Sequence, residues 1–318
     1  MKKNQNFGLV AALSLLLASS DAFACSSCSC TLSPEWIAEG YTPRPGFKLD
    51  LRYDFLNQTQ LRRGAHSVSR SSLPLPNADE VQGVTRTSVY TLALDYTNLN
   101  DWGLRIDAPF LDRYHTAFAP GEITASSSDT KDLGDVRIVG RFYGFGDRMT
   151  GLQLGAKLPT GSFDQNFRSG SEAGEPLDRG LQAGTGTTDA IFGIYNLGYL
   201  GKRFSRFEQV LVKTPLGSRA SFRPGTVVNV NAGIQYLGIP KVTPQFQLNA
   251  KFEGRDKGAE ADTPNSGSTV VYASPGLTLK IAPRTQLYSF VQAPLYQDYN
   301  GLQLAPRVTA SAGLVYSF

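Results

Sequence analysis

Residues 307–318 read RVTASAGLVYSF, and the alternation in this stretch decides the fold. Val308, Ala310, Ala312, Leu314, Tyr316 and Phe318 fall on one face of an extended chain. Arg307, Thr309, Ser311, Gly313, Val315 and Ser317 fall on the other. A period of two marks a β-strand whose two sides meet unlike surroundings. The pattern recurs upstream. In VTPQFQLNAKFE (242–253) Val242, Phe246, Leu248, Ala250 and Phe252 oppose Thr243, Gln245, Gln247, Asn249, Lys251 and Glu253. In FKLDLRYDF (47–55) Phe47, Leu49, Leu51, Tyr53 and Phe55 oppose Lys48, Asp50, Arg52 and Asp54. Charges on one face and aromatics at the ends of the other fit a strand between lipid and a wet lumen. A soluble β-sandwich, with its polar face in bulk water, is the competing reading.

Connection lengths separate the two. Candidate strands fall at roughly 47–57, 85–97, 102–114, 133–146, 150–160, 186–199, 204–214, 225–237, 242–254, 268–281, 284–296 and 306–318. The connections between them run about 27, 4, 18, 3, 25, 4, 10, 4, 13, 2 and 9 residues, long and short in turn. A sandwich has no reason to sort its loops by length onto two ends. A membrane barrel with short periplasmic turns and longer external loops does. The expected fold is therefore all-β, a transmembrane antiparallel barrel of about twelve strands over residues 47–318. Loops 58–84, 115–132 and 161–185 are expected outside and both termini in the periplasm.

Composition agrees. The 318 residues include 32 Gly, 14 Tyr and 18 Phe against two His and two Met, and no window keeps a helical period. No apolar run of about 18 residues follows the first segment, which excludes a helical membrane protein. The net charge of +4 is not gathered into a basic block, so nucleic acid is not an expected partner.

The first residues read as an export signal. Lys2 and Lys3 precede the short apolar stretch FGLVAALSLLLASS, and Ala22-Phe23-Ala24 offers small residues for cleavage before Cys25. Lipidation of Cys25 is the alternative, with bulky Phe23 against it. Signal peptide 1–24 is followed by a periplasmic segment, 25–46, that carries all three cysteines: Cys25, Cys28 and Cys30. Export favours a disulfide of Cys25 with Cys28 or Cys30, leaving one thiol over. The C-x2-C-x-C spacing also suits one soft cation, Cu(I) above all. Ser29 stands where haem attachment requires His, and a four-ligand zinc or iron–sulfur site would need a further donor.

Four stretches, LGDVRIVGRF (133–142), KLPTGSFD (157–164), GTGTTDAIFG (184–193) and QAPLYQDYNGLQLAPRVTASAGLVYSF (292–318), are similar to the bacterial outer-membrane family named for the meta-pathway of phenol degradation. The resemblance covers about residues 47–318 and omits the cysteines. It implies an outer-membrane transporter of small solutes, aromatic or organic-acid compounds among them. The closing Tyr316 and Phe318 resemble the terminal signature read by the barrel-assembly machinery.

Inward parity collects the candidate lumen residues Lys48, Asp50, Arg52, Arg105 and Asp107, then Arg137, Arg141, Lys157 and Lys251. Asp95, Asp135, Glu253 and Lys280 share that side. These mixed charges either pair and hold the lumen shut or line a narrow path that orients a solute. Arg105, Arg137 and Arg141 are expected to form a basic ladder opposite Asp50 and Asp107. No catalytic residue is expected: His66 and His115 read as loop and strand-end polarity rather than as a base beside a serine. GTGTTD has no helix after it and is no phosphate loop. Three functions remain in play: a solute channel, a barrel anchoring a periplasmic thiol site for metal or electrons, and a structural barrel with a closed lumen.

Overall fold

A computed structural model describes residues 45–98, 101–145 and 149–318. The signal segment and Cys25, Cys28 and Cys30, with the disulfide and metal readings placed on them, lie outside the described residues. The described elements are strands and two short 3-10 turns, without an α-helix. In chain order the strands are β1 (Gly46–Gly64), β2 (His66–Ser67), β3 (Val81–Thr97), β4 (Trp102–Phe118), β5 (Ser126–Leu133), β6 (Arg137–Phe145) and β7 (Thr150–Lys157). β8 (Asp189–Leu200), β9 (Phe204–Pro215), β10 (Val227–Tyr236), β11 (Val242–Glu253), β12 (Ser268–Ala282) and β13 (Thr285–Ser317) follow.

Neighbouring strands pair antiparallel in chain order from β6 to β13, and the sheet continues through β4, β3 and β1. It closes because β13 is long enough to pair twice. Its first arm lies against β12 and its second, through Lys48↔Ser317 to Arg63↔Leu302, against β1. The chain reverses between the arms at Gly301, whose φ of 64° is the left-handed backbone that glycine tolerates. Counted by arms, the wall has the twelve staves expected from the alternation. Closure pairs β1 with β13, so the sheet has no free end strand within the apolar band among the described residues, a requirement in lipid.

The wall is inside out relative to a soluble protein. Phe47 and Leu51 are about half exposed (48% and 49%), whereas Lys48 and Asp50 between them are buried (6% and 1%). The outward apolar face has a definite height. On β1 it runs from Phe47 to Phe55 and gives way to Asn57 and Thr59. On β3 it runs from Tyr96 to Tyr90 and gives way to Ser88 and Arg86; on β4 it runs from Trp102 to Phe110 and ends at Asp112. About nine residues at barrel tilt make a band roughly 25 Å tall. Ring pairs mark its turn end: Phe47 with Tyr96 (4.7 Å), Tyr96 with Trp102 (5.4 Å), Phe204 with Tyr236 (5.1 Å) and Tyr316 with Phe318 (5.1 Å). This is a transmembrane antiparallel β-barrel.

Above the band the strands continue. β1, β3 and β4 are 17 to 19 residues long, so the first external loop is shorter than the expected 58–84. β5 falls in the expected loop 115–132 for all but its last residue and pairs with the upper half of β4, Phe110↔Leu133 to Ala117↔Ser126, while β6 takes the lower half. Its sequence, SSSDTKDL, shows no apolar face because the strand stands clear of the apolar band.

Bulky inward side chains need room beside a neighbouring stave. Phe207 lies over its cross-strand partner Gly233, and Phe290 over Gly276. A Cβ on either glycine would stand 2.3 Å from the ring. These glycines are fixed by close approach rather than by backbone conformation.

Candidate functional site

The inward side chains divide the lumen into a charged half and an amide half. The charged half is centred on Arg105 of β4, which is fully buried. Its Nη2 donates to Asp50 Oδ2 at 2.9 Å and its Nε to Asp107 Oδ1 at 2.8 Å. Asp50 and Asp107 sit level because both register against Ala93 of β3, and that small residue lets Arg105 reach across. Tyr288 Oη donates to Asp50 (3.0 Å), Arg137 pairs with Asp107 (2.9 Å) and Arg141 pairs with Asp95 (2.6 Å). Arg52 pairs with Asp54 (2.8 Å) and Lys251 with Glu253 (2.8 Å); Lys48 is buried on the same side. The expected basic ladder of Arg105, Arg137 and Arg141 is thus corrected. Arg105 and Arg137 share Asp107 and Arg141 holds Asp95, because an unpaired charge at this depth would be costly.

The amide half runs around the opposite wall. Gln209 donates to Gln153 (2.8 Å), Asn231 to Gln209 (3.1 Å), and Asn249 to Asn231 (2.8 Å). Ser274 donates to Asn249 (2.6 Å), Gln292 to Ser274 (3.3 Å) and Thr309 to Gln292 (3.0 Å). Ser311 then donates to Asp54 (2.6 Å), joining the two halves. Neutral donors and acceptors satisfy one another here without a net field.

A loop folds over this lumen. The segment 158–188 between β7 and β8 is tied down at Asp135, whose carboxylate accepts from Lys157 Nζ (2.7 Å), Gly161 N (3.1 Å) and Thr185 N (3.0 Å). Lys157 also pairs with Asp189 (3.2 Å). Three of the stretches behind the family resemblance therefore meet at one point. The loop's Phe167, Leu177 and Leu181 pack on Ala117 of the lumen wall, and Arg113 donates to Leu181 O (2.7 Å). Arg179 lies between the rings of Phe163 (4.3 Å) and Phe222 (4.8 Å). Beneath the loop is a cavity of about 380 Å³, lined by residues that include Arg52, Asp107, Arg137, Lys157, Lys213 and Lys251.

The sequence reading missed Lys213 and Arg113 as members of this site; Asp54, set on the polar face with Arg52, was not named among the lumen residues but belongs to it. The same reading placed His115 at a strand end. The extension of β4 instead buries it, with Nδ1 2.8 Å from Thr85 Oγ1 and its ring against Phe167. His66, in β2, is exposed.

The external loops carry a second concentration of charge. Burial, and then the charges of Asp178, Glu172 and Asp262, raise the Glu80 carboxyl well above its usual range. Asp178 is raised in the same way by burial and by Asp262 and Glu172. Burial pushes Asp262 up to about 6. A raised carboxyl binds more protons folded than unfolded, so its contribution to loop stability is present below the unfolded value of about 4 and is lost as pH rises through about 6. Limited proteolysis in 254–267 is accordingly expected to accelerate between pH 5 and pH 8; a rate flat across that range would refute the coupling.

No protein-family model and no curated protein matches the chain. Solved structures do. An outer membrane channel from Pseudomonas putida F1 superposes with a TM-score of 0.62 at 14% identity, covering 90% of this chain and 100% of that one. This is the fold of an outer-membrane barrel. The toluene transporter TbuX of Ralstonia pickettii matches over 93% of this chain and 97% of its own, at 11% identity and a TM-score of 0.47.

Proposed function

We propose that the chain is an outer-membrane channel for small solutes. The observation that carries this reading is the inside-out wall: an apolar band encloses a polar lumen that widens into a cavity of about 380 Å³. A wall that only anchors has no need of a chamber lined by charge. The even number of staves puts both ends of the barrel on one side. Short turns and termini then face the periplasm, and the tall strands and long loops face outward. The family resemblance extends the reading to aromatic or organic-acid solutes. Phe318, 64% exposed at the end of the wall, is where the barrel-assembly machinery would read the chain. The second reading, a structural barrel with a closed lumen, draws on the pairing of Arg105, Arg137 and Arg141. The thiol-site reading rests on the cysteines alone.

Purified protein in a planar bilayer is expected to show long-lived openings of sub-nanosiemens size in KCl. Silence from protein whose heat-modifiable migration shows a folded barrel would overturn the channel and favour the closed lumen.

A further inference from the structure

The basic side chains around the cavity outnumber the acidic ones, seven to five. Six of the seven have partners. Arg52, Arg137, Lys157 and Lys251 pair with carboxylates, Arg113 donates to Thr87 and Leu181, and Arg179 donates to Thr185 O between two rings. The seventh, Lys213 of β9, makes no hydrogen bond or ion pair among the described residues. Its cross-strand neighbours are apolar on both sides, Ile191 on β8 and Val227 on β10, and Leu211 precedes it on the same inward face. Asp189 and Glu253 lie near enough to act on its charge but are taken by Lys157 and Lys251.

We propose that Lys213 is the charged contact of a binding site for a small organic monoanion in this cavity. An ammonium in no direct ion pair among the described residues, set among Ile191, Leu211 and Val227, recognises an anionic headgroup while the aliphatic wall takes an apolar body. The ligand is small because the chamber lies near the lower end of the roughly 300–1,000 Å³ that ligand pockets occupy. The inference deepens the channel reading, since it names the solute class that would pause there, but the site can exist without conduction.

The test separates the two. Benzoate binding to detergent-solubilised full-length protein is measured by calorimetry, with neutral benzamide beside it. Benzoate is expected to bind and benzamide to bind at least about tenfold more weakly. Lys213→Gln should lose about tenfold in benzoate affinity, the scale of a charge-assisted hydrogen bond, and Lys213→Arg should keep most of it. Equal binding of benzoate and benzamide, no benzoate binding, or unchanged affinity in Lys213→Gln would each overturn the proposal. Should Lys213→Gln fail to assemble, reductive methylation of the unmodified protein read by mass spectrometry replaces it. Benzoate must then protect Lys213 and benzamide must not; lack of protection overturns the site. Bilayer recordings are scored apart: silence together with charge-selective binding removes the channel and keeps the site.

Discussion

Replacing Arg105 by Met is expected to destabilise the barrel by about 3–5 kcal/mol, the usual cost of removing one partner from a buried charge network. Arg105 is fully buried and serves two carboxylates at once, Asp50 and Asp107. Asp107 keeps Arg137, but among the described residues Asp50 is left with only the Tyr288 hydroxyl. The loss should therefore fall mainly on Asp50. Adding Asp50→Asn to the Met variant should recover part of it, because the charge stranded by the first change is then gone. Equilibrium urea unfolding from phospholipid vesicles, followed by tryptophan fluorescence, reads both variants. A loss below about 1 kcal/mol for Arg105→Met would show that the lumen tolerates an unpaired carboxylate there and is wetter than its burial indicates. A double variant no better than the single would place the cost on packing instead.

The wall was legible in the sequence and the lumen only by side. In RVTASAGLVYSF and VTPQFQLNAKFE, period two repeats on both faces over whole strands, so each residue's direction follows from its parity. Parity does not give height. Whether Arg105 meets Asp50, Asp107 or nothing depends on the register that aligns both aspartates with Ala93, and that register links residues 43 and 14 positions apart. For this reason the basic ladder became a bridged network, Asp50–Arg105–Asp107–Arg137, with Arg141 on Asp95 beside it. Lys213 was hidden differently: Val210, Leu211 and Val212 run apolar on both faces, so the alternation around it blurs. β5 and the top of β4 escaped notice because strands clear of lipid need no apolar face, and His115 was misplaced with them. Asp135, Lys157 and Thr185 stand far apart in the chain, and only the fold of loop 158–188 brings them together.

The reading of the outer wall makes a prediction that depends on depth. Leu248 faces outward midway along β11, 44% exposed, between Gln247 and Asn249, which are both fully buried. Leu248→Arg is expected to cost about 2–4 kcal/mol in a bilayer, because a guanidinium at the midplane must snorkel or drag water inward. Ile281 is more exposed, at 58%, but lies at the turn end of β12, so Ile281→Arg should cost only about 0–1 kcal/mol. Exposure alone predicts the opposite of this ordering or no difference, since substitutions on a water-facing surface stay within about 0.5 kcal/mol. Both variants can be read by reversible unfolding from vesicles. Equal, small effects would mean that the apolar band meets water or protein rather than lipid. A larger effect at Ile281 than at Leu248 would shift the membrane toward the turns, leaving Leu248 and the upper strands outside it.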